Sequence, residues 1–319
     1  MKKILTNTYF LAIIACLLWS TAFAAIKLGI NYTTPLNFAG IRFVLSGFMV
    51  LPFCGSMARY FSEISNNIRY VLVVGLFQTF LLYSLFYIGI SMAPASLTAI
   101  IVGGGPLFVA LLAHFSISND RLNKRKMFSI LIGISGIVLI AADKFDFNWE
   151  KGKVFWGLVI LVFSNIAGSY GNILVSKGKG KINPFVLNST QQIIGGTGIF
   201  ILSLFLEDQT FDIIKPTGYY LSLGYLSFLS AVAFSIWFLL LGRPGVKVSE
   251  LNIWKFLIPV FGAILSWVVL PEESPALIPV IGMIVISFSL ILLNYNNFKS
   301  KNNKKNPAFA AGFSNEKNY

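Results

Sequence analysis

The chain has 319 residues and a formal net charge of +13, and 56% of its residues are hydrophobic whereas only 12% are charged. Soluble domains carry about 25% charged residues, so the polar side chains are too few to cover a water-soluble globule, and an ordinary soluble enzyme is excluded. The two cysteines, Cys16 and Cys54, stand in apolar runs and offer neither a disulfide framework nor a paired zinc motif. No cofactor and no metal are predicted.

Apolar runs long enough to cross a membrane recur along the whole chain. Crossing about 30 Å of hydrocarbon takes roughly 20 helical residues, because each residue adds about 1.5 Å. The predicted spans are residues 9–27, 35–54, 69–89, 95–115, 126–142, 153–176, 184–206, 218–241, 248–270 and 275–295. We therefore predict an all-α integral membrane protein with ten transmembrane helices, surrounded by membrane lipids.

Lysine and arginine are divided unequally between the two sides of such a bundle. Eighteen of the 25 fall in the termini and in every second loop, five fall on the other side, and Arg42 and Lys255 lie within spans. Because cytoplasmic loops retain positive charge, both termini are predicted to be cytoplasmic. This distribution also explains the net positive charge, and nucleic acid is not predicted as a partner.

The two ends of the chain need separate interpretations. Residues 1–24 have the charged start, apolar run and small residues of a secretory signal, but the apolar run is longer than a typical signal core. We favour a retained helix, since the internal repeat described next requires it. Residues 296–319 have no periodic apolar face and are predicted to form a disordered basic cytoplasmic tail.

The second half of the sequence repeats the first. With small changes of offset, the repeat places Ser20 on Ser164, Pro35 on Pro184, Gly47 on Gly196, Tyr70 on Tyr219, Gly75 on Gly224, Ser96 on Ser249 and Pro106 on Pro259. Each unit has five spans, an odd number, so the second unit enters the membrane from the opposite side. The sequence therefore predicts two inverted five-helix repeats.

Inverted repeats are typical of carriers. Two such halves can exchange conformations, so that outward-facing and inward-facing states form around one central site. We predict alternating-access transport of a small molecule. A duplication that serves only to build a large structural bundle is the alternative interpretation.

Short motifs in a fixed order support this interpretation. They are Trp-Ser-Thr-Ala-Phe at 19–23, Arg42-Phe43 in the second span, Ala93-Pro94-Ala95 before the fourth, and the proline-bearing helices with Pro106 and Pro259. In this order the motifs resemble the EamA family of the drug/metabolite transporter superfamily. The resemblance covers two five-helix repeats, residues 9–141 and 153–293.

The resemblance implies a ten-helix carrier of the inner membrane, often an exporter of amino acids or related metabolites, with a central cavity between the repeats. It also implies an acidic residue after the fourth helix of each unit, a position that Asp120 and either Glu272 or Glu273 can fill. The second unit departs from the pattern, because Gln191 stands opposite Arg42. We therefore expect an asymmetric substrate site.

Two cations lie inside predicted spans. A charged residue there costs about 2.5–3.5 kcal/mol on insertion scales, so such residues usually face a pathway in the protein interior. Arg42 lies about 10 Å below the outer surface, and Lys255 lies at a similar depth from the cytoplasmic side. We expect that one or both present positive charge to a cavity and attract a carboxylate or other anionic group, with Arg42 better suited to bidentate contact. The alternative is a structural cation that snorkels or binds backbone carbonyls.

Uncharged polar residues form further candidate contacts. Asn165, Ser169 and Asn172 follow helical spacing on one face of the sixth span, whereas Ser227 and Ser230 in the eighth are less informative. Small polar residues also hold membrane helices together, which is the alternative role for each of them. The predicted substrate-binding residues are Trp19, Arg42, Gln78, Tyr83, Asn165, Ser169, Gln191, Trp254 and Lys255.

Three glycines and a proline interrupt the fourth span. Gly103, Gly104, Gly105 and Pro106 permit a kink or a close helix approach. We predict a hinge or gate here, paired with Pro259 in the second unit.

The chemistry missing from the sequence narrows the function. There is one histidine, His114, and no phosphate-binding GxxxxGK[ST] motif. We therefore predict a secondary transporter that is not an enzyme and does not use ATP. The alternatives are a carrier of lipid-linked or nucleotide-linked groups, a membrane-embedded lipid enzyme, and a structural membrane protein.

Overall fold

A computed structural model describes residues 7–117, 122–146, 148, 152–208 and 214–305. Within these ranges the chain forms helices and no β-strand. The helices are α1 Thr8–Ile30, α2 Pro35–Val50, α3 Met57–Asn66, α4 Ile68–Met92, α5 Ala95–Ser116, α6 Lys124–Asp143, α7 Lys153–Lys177, α8 Pro184–Leu206, α9 Thr217–Gly242, α10 Val248–Val269 and α11 Leu277–Lys305.

Ten of these eleven helices correspond to the predicted spans. Nine of the described helices are long and apolar enough to cross a membrane, and α11 adds a shorter apolar segment, Leu277–Leu293. Only α3 was not predicted as a span, and it is a short helix between α2 and α4. The all-α multi-pass membrane fold is thus confirmed. Helix α11 continues ten residues into the segment predicted to be disordered, and residues 306–319 lie outside the described ranges.

The helices of the two units interleave. The main packing pairs are α1 with α9, α4 with α7, α2 with α8, α5 with α10, and α6 with α11. If each helix is exchanged for its counterpart in the other unit, the pair α1–α9 becomes the pair α7–α4. The three remaining pairs each become themselves. A pseudo-two-fold axis between inverted repeats has this property.

Glycine allows the central pair, α2 and α8, to approach closely. A β-carbon at Gly47 would lie 2.8 Å from the carbonyl oxygen of Ser189, and one at Gly196 would lie 2.8 Å from the backbone nitrogen of Val44. The sequence repeat placed these two glycines on each other. Small residues at helix crossings take the place of the hydrophobic effect in lipid, because they let backbones pack at short distance.

Carboxylates from each unit cap helix starts in the other unit. Glu207, which follows α8, accepts hydrogen bonds from the backbone N–H groups of Leu36 (2.7 Å) and Asn37 (3.0 Å) in the first turn of α2. In the symmetry-related position Glu63, which follows α2, accepts one from Asn183 (2.8 Å), the residue before α8. The first N–H groups of a helix have no partner within it, so an anion there is stabilising.

We expect Glu63 to make the protein sensitive to acid. Partial burial works against ionisation of Glu63, but the Asn183 N–H group and the Arg59 guanidinium outweigh it and lower the pKa of Glu63. A lowered pKa contributes stability above the ordinary glutamate value of about 4.3, and this contribution is lost as the pH falls through the lowered value. Thermal unfolding of wild type should lose more stability between about pH 5 and pH 3 than that of Glu63→Gln.

The control for this prediction is Glu250→Gln, because Glu250 is half-exposed and its contact with Lys247 is long, at 3.8 Å. That variant should keep the acid sensitivity of wild type. Equal acid sensitivity in Glu63→Gln and wild type would contradict the prediction.

Candidate substrate cavity

A cavity lies where the two units meet, lined by residues of α1, α2, α4, α5, α7, α9 and α10. Helix α8 and the last helix of each unit, α6 and α11, contribute no residue to it. Seven of the nine predicted substrate-binding residues line it: Trp19, Arg42, Gln78, Tyr83, Asn165, Ser169 and Lys255. Its other lining is largely apolar and aromatic.

Arg42 is fixed in the cavity wall by neutral groups. Its side chain is only 2% exposed. Its Nε donates to the carbonyl of Leu226 (3.3 Å), Nη1 to the hydroxyl of Tyr87 (2.5 Å) and Nη2 to Oγ of Ser230 (2.7 Å). Arg42 forms no ion pair with a carboxylate of the described residues. A guanidinium has five N–H donors, so these three bonds fix its orientation and leave two donors for a ligand.

Lys255 is held by aromatic rings rather than by an acid. Its Nζ lies 4.8 Å from the ring centroid of Trp237 and 5.4 Å from that of Trp19. Within the described ranges it has no carboxylate partner. Cations bind ring faces through the aromatic quadrupole, which stabilises the ammonium without neutralising its charge. The cavity therefore holds two cations, Arg42 and Lys255.

The two helices that carry Pro106 and Pro259, α5 and α10, are interrupted beside the cavity. In α5 the helix breaks at Gly104, and in α10 a 3-10 turn covers Ile253–Phe256. The repeat offset places Val102 on Lys255, and both residues line the cavity. Equivalent positions in the two units thus differ by one charge.

Helix α7 supports the interruption in α5. The Asn165 side chain donates to the carbonyl of Ile101 (2.7 Å), and the Ser169 hydroxyl donates to the carbonyl of Gly105 (3.3 Å). A break weakens the helical ladder, and in a membrane the carbonyl groups beside it are stabilised by further donors. The Ile101 carbonyl accepts from the Gly104 N–H group (3.0 Å) as well as from Asn165. The predicted polar stripe therefore binds the broken helix and faces the cavity at the same time.

The predicted hinge residues meet across the two units. Gly103 lies against the ring of Pro259, so that a β-carbon at Gly103 would overlap the ring atoms. Gly105 lines the cavity, and Pro106 is buried at the start of the second half of α5. Gly104 lies at the break itself, against Ile137 of α6.

The structure does not bring Gln191 and Trp254 to the cavity. Gln191 is fully buried and accepts a hydrogen bond from Thr79, because a π-helical segment at Leu76–Leu81 turns Thr79 towards α8. Trp254 packs against Tyr9, with ring centroids 5.7 Å apart, because the 3-10 turn of α10 points its neighbour Lys255 to the cavity instead.

Four residues near the cavity were not among the nine predicted substrate-binding residues, although Asn172, Ser227 and Ser230 were noted in polar stripes and only Tyr87 was missed entirely. Tyr87 and Ser230 bind Arg42, and Ser227 donates to the Arg42 carbonyl oxygen at 3.2 Å. Asn172 lines the cavity and accepts a hydrogen bond from the indole of Trp237 at 2.8 Å. The available signals were helical spacing from Tyr83 to Tyr87 and from Ser227 to Ser230, which place each pair on one face.

The acidic residue expected after the fourth helix of the second unit also has a place. Glu273 accepts hydrogen bonds from the backbone N–H groups of Ala95 (2.5 Å) and Ser96 (2.8 Å) at the start of α5. It lies outside the cavity lining. Asp120, its expected counterpart in the first unit, lies outside the described residues.

Comparison with known proteins identifies the architecture. A probable amino-acid metabolite efflux pump of Escherichia coli is 25% identical over 88% of this chain and 93% of its own length. The protein of the same description from Salmonella typhimurium is 26% identical over 82% and 87%. An uncharacterised transporter of Archaeoglobus fulgidus is 23% identical over 88% and 96%.

A solved crystal structure has the same fold, with a TM-score of 0.66 at 16% identity over 90% of this chain and 97% of that one. The profile of the EamA-like transporter family matches twice, at residues 6–142 and 155–295. The two matches correspond to the two five-helix units of the bundle. The chain belongs to the EamA-like transporter family.

Proposed function

We propose that this transporter exports a small polar metabolite that carries a carboxylate, an amino acid or a related compound, from the cytoplasm across the inner membrane. The observation that carries the proposal is the pair of cations in the cavity, Arg42 and Lys255, neither of which is neutralised by a carboxylate of the described residues. A bound carboxylate supplies the missing charge and accepts the remaining N–H donors of Arg42. The names of the E. coli and Salmonella relatives support the same substrate class.

The proposed mechanism is alternating access without ATP. Arg42 lies in the first unit and Lys255 in the second, so a carboxylate bound between them joins the two units. Rocking of the units about the interrupted helices α5 and α10 then exposes the cavity to either side in turn. The Gly103–Pro259 contact is the proposed pivot, and the Lys and Arg distribution supports cytoplasmic termini.

The proposal is tested by flux measurements in proteoliposomes with a panel of cationic, zwitterionic and anionic metabolites. Lys255→Gln should slow the flux of carboxylates by at least about tenfold, since one of two attractive charges is removed. Lys247→Gln is the control, because Lys247 immediately precedes α10 but is exposed and lies outside the cavity.

Two kinds of result would contradict the proposal. Flux of cations only, or of lipid-linked and nucleotide-linked groups only, would assign a different substrate class. Carboxylate flux equal in Lys255→Gln and wild type would remove Lys255 from the site.

A further inference from the structure

The charge of the cavity lining points to a narrower substrate class. The lining contains Arg42 and Lys255 and no aspartate or glutamate among the described residues. A zwitterionic amino acid brings one positive and one negative charge, so it leaves the cavity with two uncompensated cations. A carboxylate without an ammonium group reduces the excess to one. In a site of low dielectric constant, a difference of one charge changes the binding free energy more than it does in water.

Three hydrogen-bond acceptors at the cavity are already occupied and are therefore poorly suited to an ammonium group. The carbonyl oxygens of Ile101 and Gly105 accept from Asn165 and Ser169, and Oδ1 of Asn172 accepts from Trp237. An ammonium carries three donors and a charge, and burying it without partners is costly.

Two buried polar atoms of the lining have no hydrogen-bond partner among the described residues. They are Nε1 of Trp19, a donor, and Oε1 of Gln78, an acceptor. The donor suits a further oxygen of an anion. The acceptor is neutral and lies against Gly171 of α7, so it meets one amide N–H or hydroxyl group of a ligand once the Gln78 side chain turns into the cavity. A ligand that presents a carboxylate and a neutral N–H or O–H group then satisfies both atoms.

Aromatic rings enclose the remaining space. Trp19 lies against Phe234 with ring centroids 5.4 Å apart, Tyr83 lies 5.8 Å from Phe86, and Phe23 lies 6.0 Å from Phe86. All five residues line the cavity. The faces of Trp19 and Trp237 are already occupied by Lys255, so they offer no second cation site. The rings therefore suit an apolar body on the ligand.

We propose that the cavity selects carboxylate anions that lack an ammonium group, carry a neutral N–H or O–H donor and have an apolar body. N-acylated amino acids and hydroxy acids have this chemistry. This inference rests on the proposed function and refines its substrate class. Gln78 is the residue that sets the neutral character of the second contact.

Matched ligand pairs provide the test. Alanine, leucine and phenylalanine are each compared with their N-acetyl forms by titration calorimetry on the purified protein. Acetylation converts the ammonium into a neutral amide and keeps the carboxylate and the side chain. We expect the N-acetyl form to bind at least about tenfold more tightly in each pair.

Two variants each lower the net positive charge of the lining by one unit, in different ways. Gln78→Glu adds an acid at the same volume, and Lys255→Gln removes a cation. Both should lower the ratio of N-acetyl to parent affinity, Gln78→Glu the more strongly, because its carboxylate can receive an ammonium directly. Lys247→Gln, outside the cavity, should keep the wild-type ratio.

Each other outcome overturns the inference in a distinguishable way. Equal or tighter binding of the parent amino acids to wild type would refute the selection for non-ammonium anions and leave carboxylate export standing. A preference for N-acetyl forms that neither folded variant changes would refute the role of cavity charge. Binding of neither form, with binding of the cationic amino-acid amides, would refute both the inference and the proposed function.

Discussion

Replacing Arg42 with glutamine is expected to reduce carboxylate transport by at least about 100-fold, because two hydrogen bonds to a charged group contribute about 1.5–3 kcal/mol each. The same change should also destabilise the protein. Tyr87, Ser230 and the Leu226 carbonyl would each lose a donor, and a buried polar group without a partner costs about 1–3 kcal/mol. Flux is therefore compared at equal amounts of folded protein, and thermal unfolding is measured alongside.

Three further variants separate charge from geometry. Arg42→Lys keeps the charge but loses the planar fork, so it should transport slowly but measurably. Tyr87→Phe removes one orienting hydrogen bond and keeps the charge of Arg42. Its main effect should therefore be a lower unfolding temperature, with a smaller effect on the flux. Arg69→Gln, at an exposed position near the start of α4, should behave as wild type. Wild-type flux in Arg42→Gln would contradict the substrate role of Arg42.

Replacing Gly103 with alanine is expected to destabilise the contact between α5 and α10 by about 1–3 kcal/mol, the usual cost of an added methyl group in a packed interior. The added carbon would overlap the ring of Pro259, which is bonded to the backbone at both ends and cannot rotate away. Because this contact is the proposed pivot, transport should slow as well. Thermal unfolding and flux both test the prediction.

The neighbouring glycine provides the matched control. A β-carbon at Gly105 would lie 3.3 Å from Oδ1 of Asn165, a contact that a small shift relieves, so the thermal stability of Gly105→Ala should remain close to that of wild type. Pro259→Ala in the Gly103→Ala background removes the overlapping ring and should restore part of the lost stability. Gly103→Ala with unchanged stability and flux would show that the pivot does not depend on this contact.

The helices and their repeat could be predicted from the sequence because each signal is local or repeated. The span predicted at 184–206 coincides with α8, and the two glycines placed on each other by the repeat both lie in the α2–α8 interface. The two charged residues within spans line the cavity because burying a charge in lipid is costly whatever the details of packing.

The orientation of Gln191 could not be predicted in the same way. The repeat offset matches Gln191 in α8 to Arg42 in α2, but Arg42 lines the cavity, whereas Gln191 is buried and bonded to Thr79 of α4. A sequence match gives the position along a helix and not the neighbour that the side chain meets. Thr79 belongs to the π-helical segment at Leu76–Leu81 and Trp254 to the 3-10 turn at Ile253–Phe256, and regular helical spacing of about 100° per residue includes neither. The caps by Glu63 and Glu207 were also beyond sequence reasoning, since each carboxylate and its partner lie more than a hundred residues apart.

The exchanged caps determine the order in which parts of the two units can fold during synthesis. The backbone N–H group of Leu36 donates its hydrogen bond to the carboxylate of Glu207, 171 residues later in the chain. At a synthesis rate of about 5–20 residues per second, the first unit waits roughly 10–30 seconds in the membrane before that carboxylate exists. During this interval α2 also lacks α8, its main packing partner. The N-terminal half of the protein therefore completes its folding only after translation of the second half, and it depends on the membrane and its insertion machinery to protect it until then.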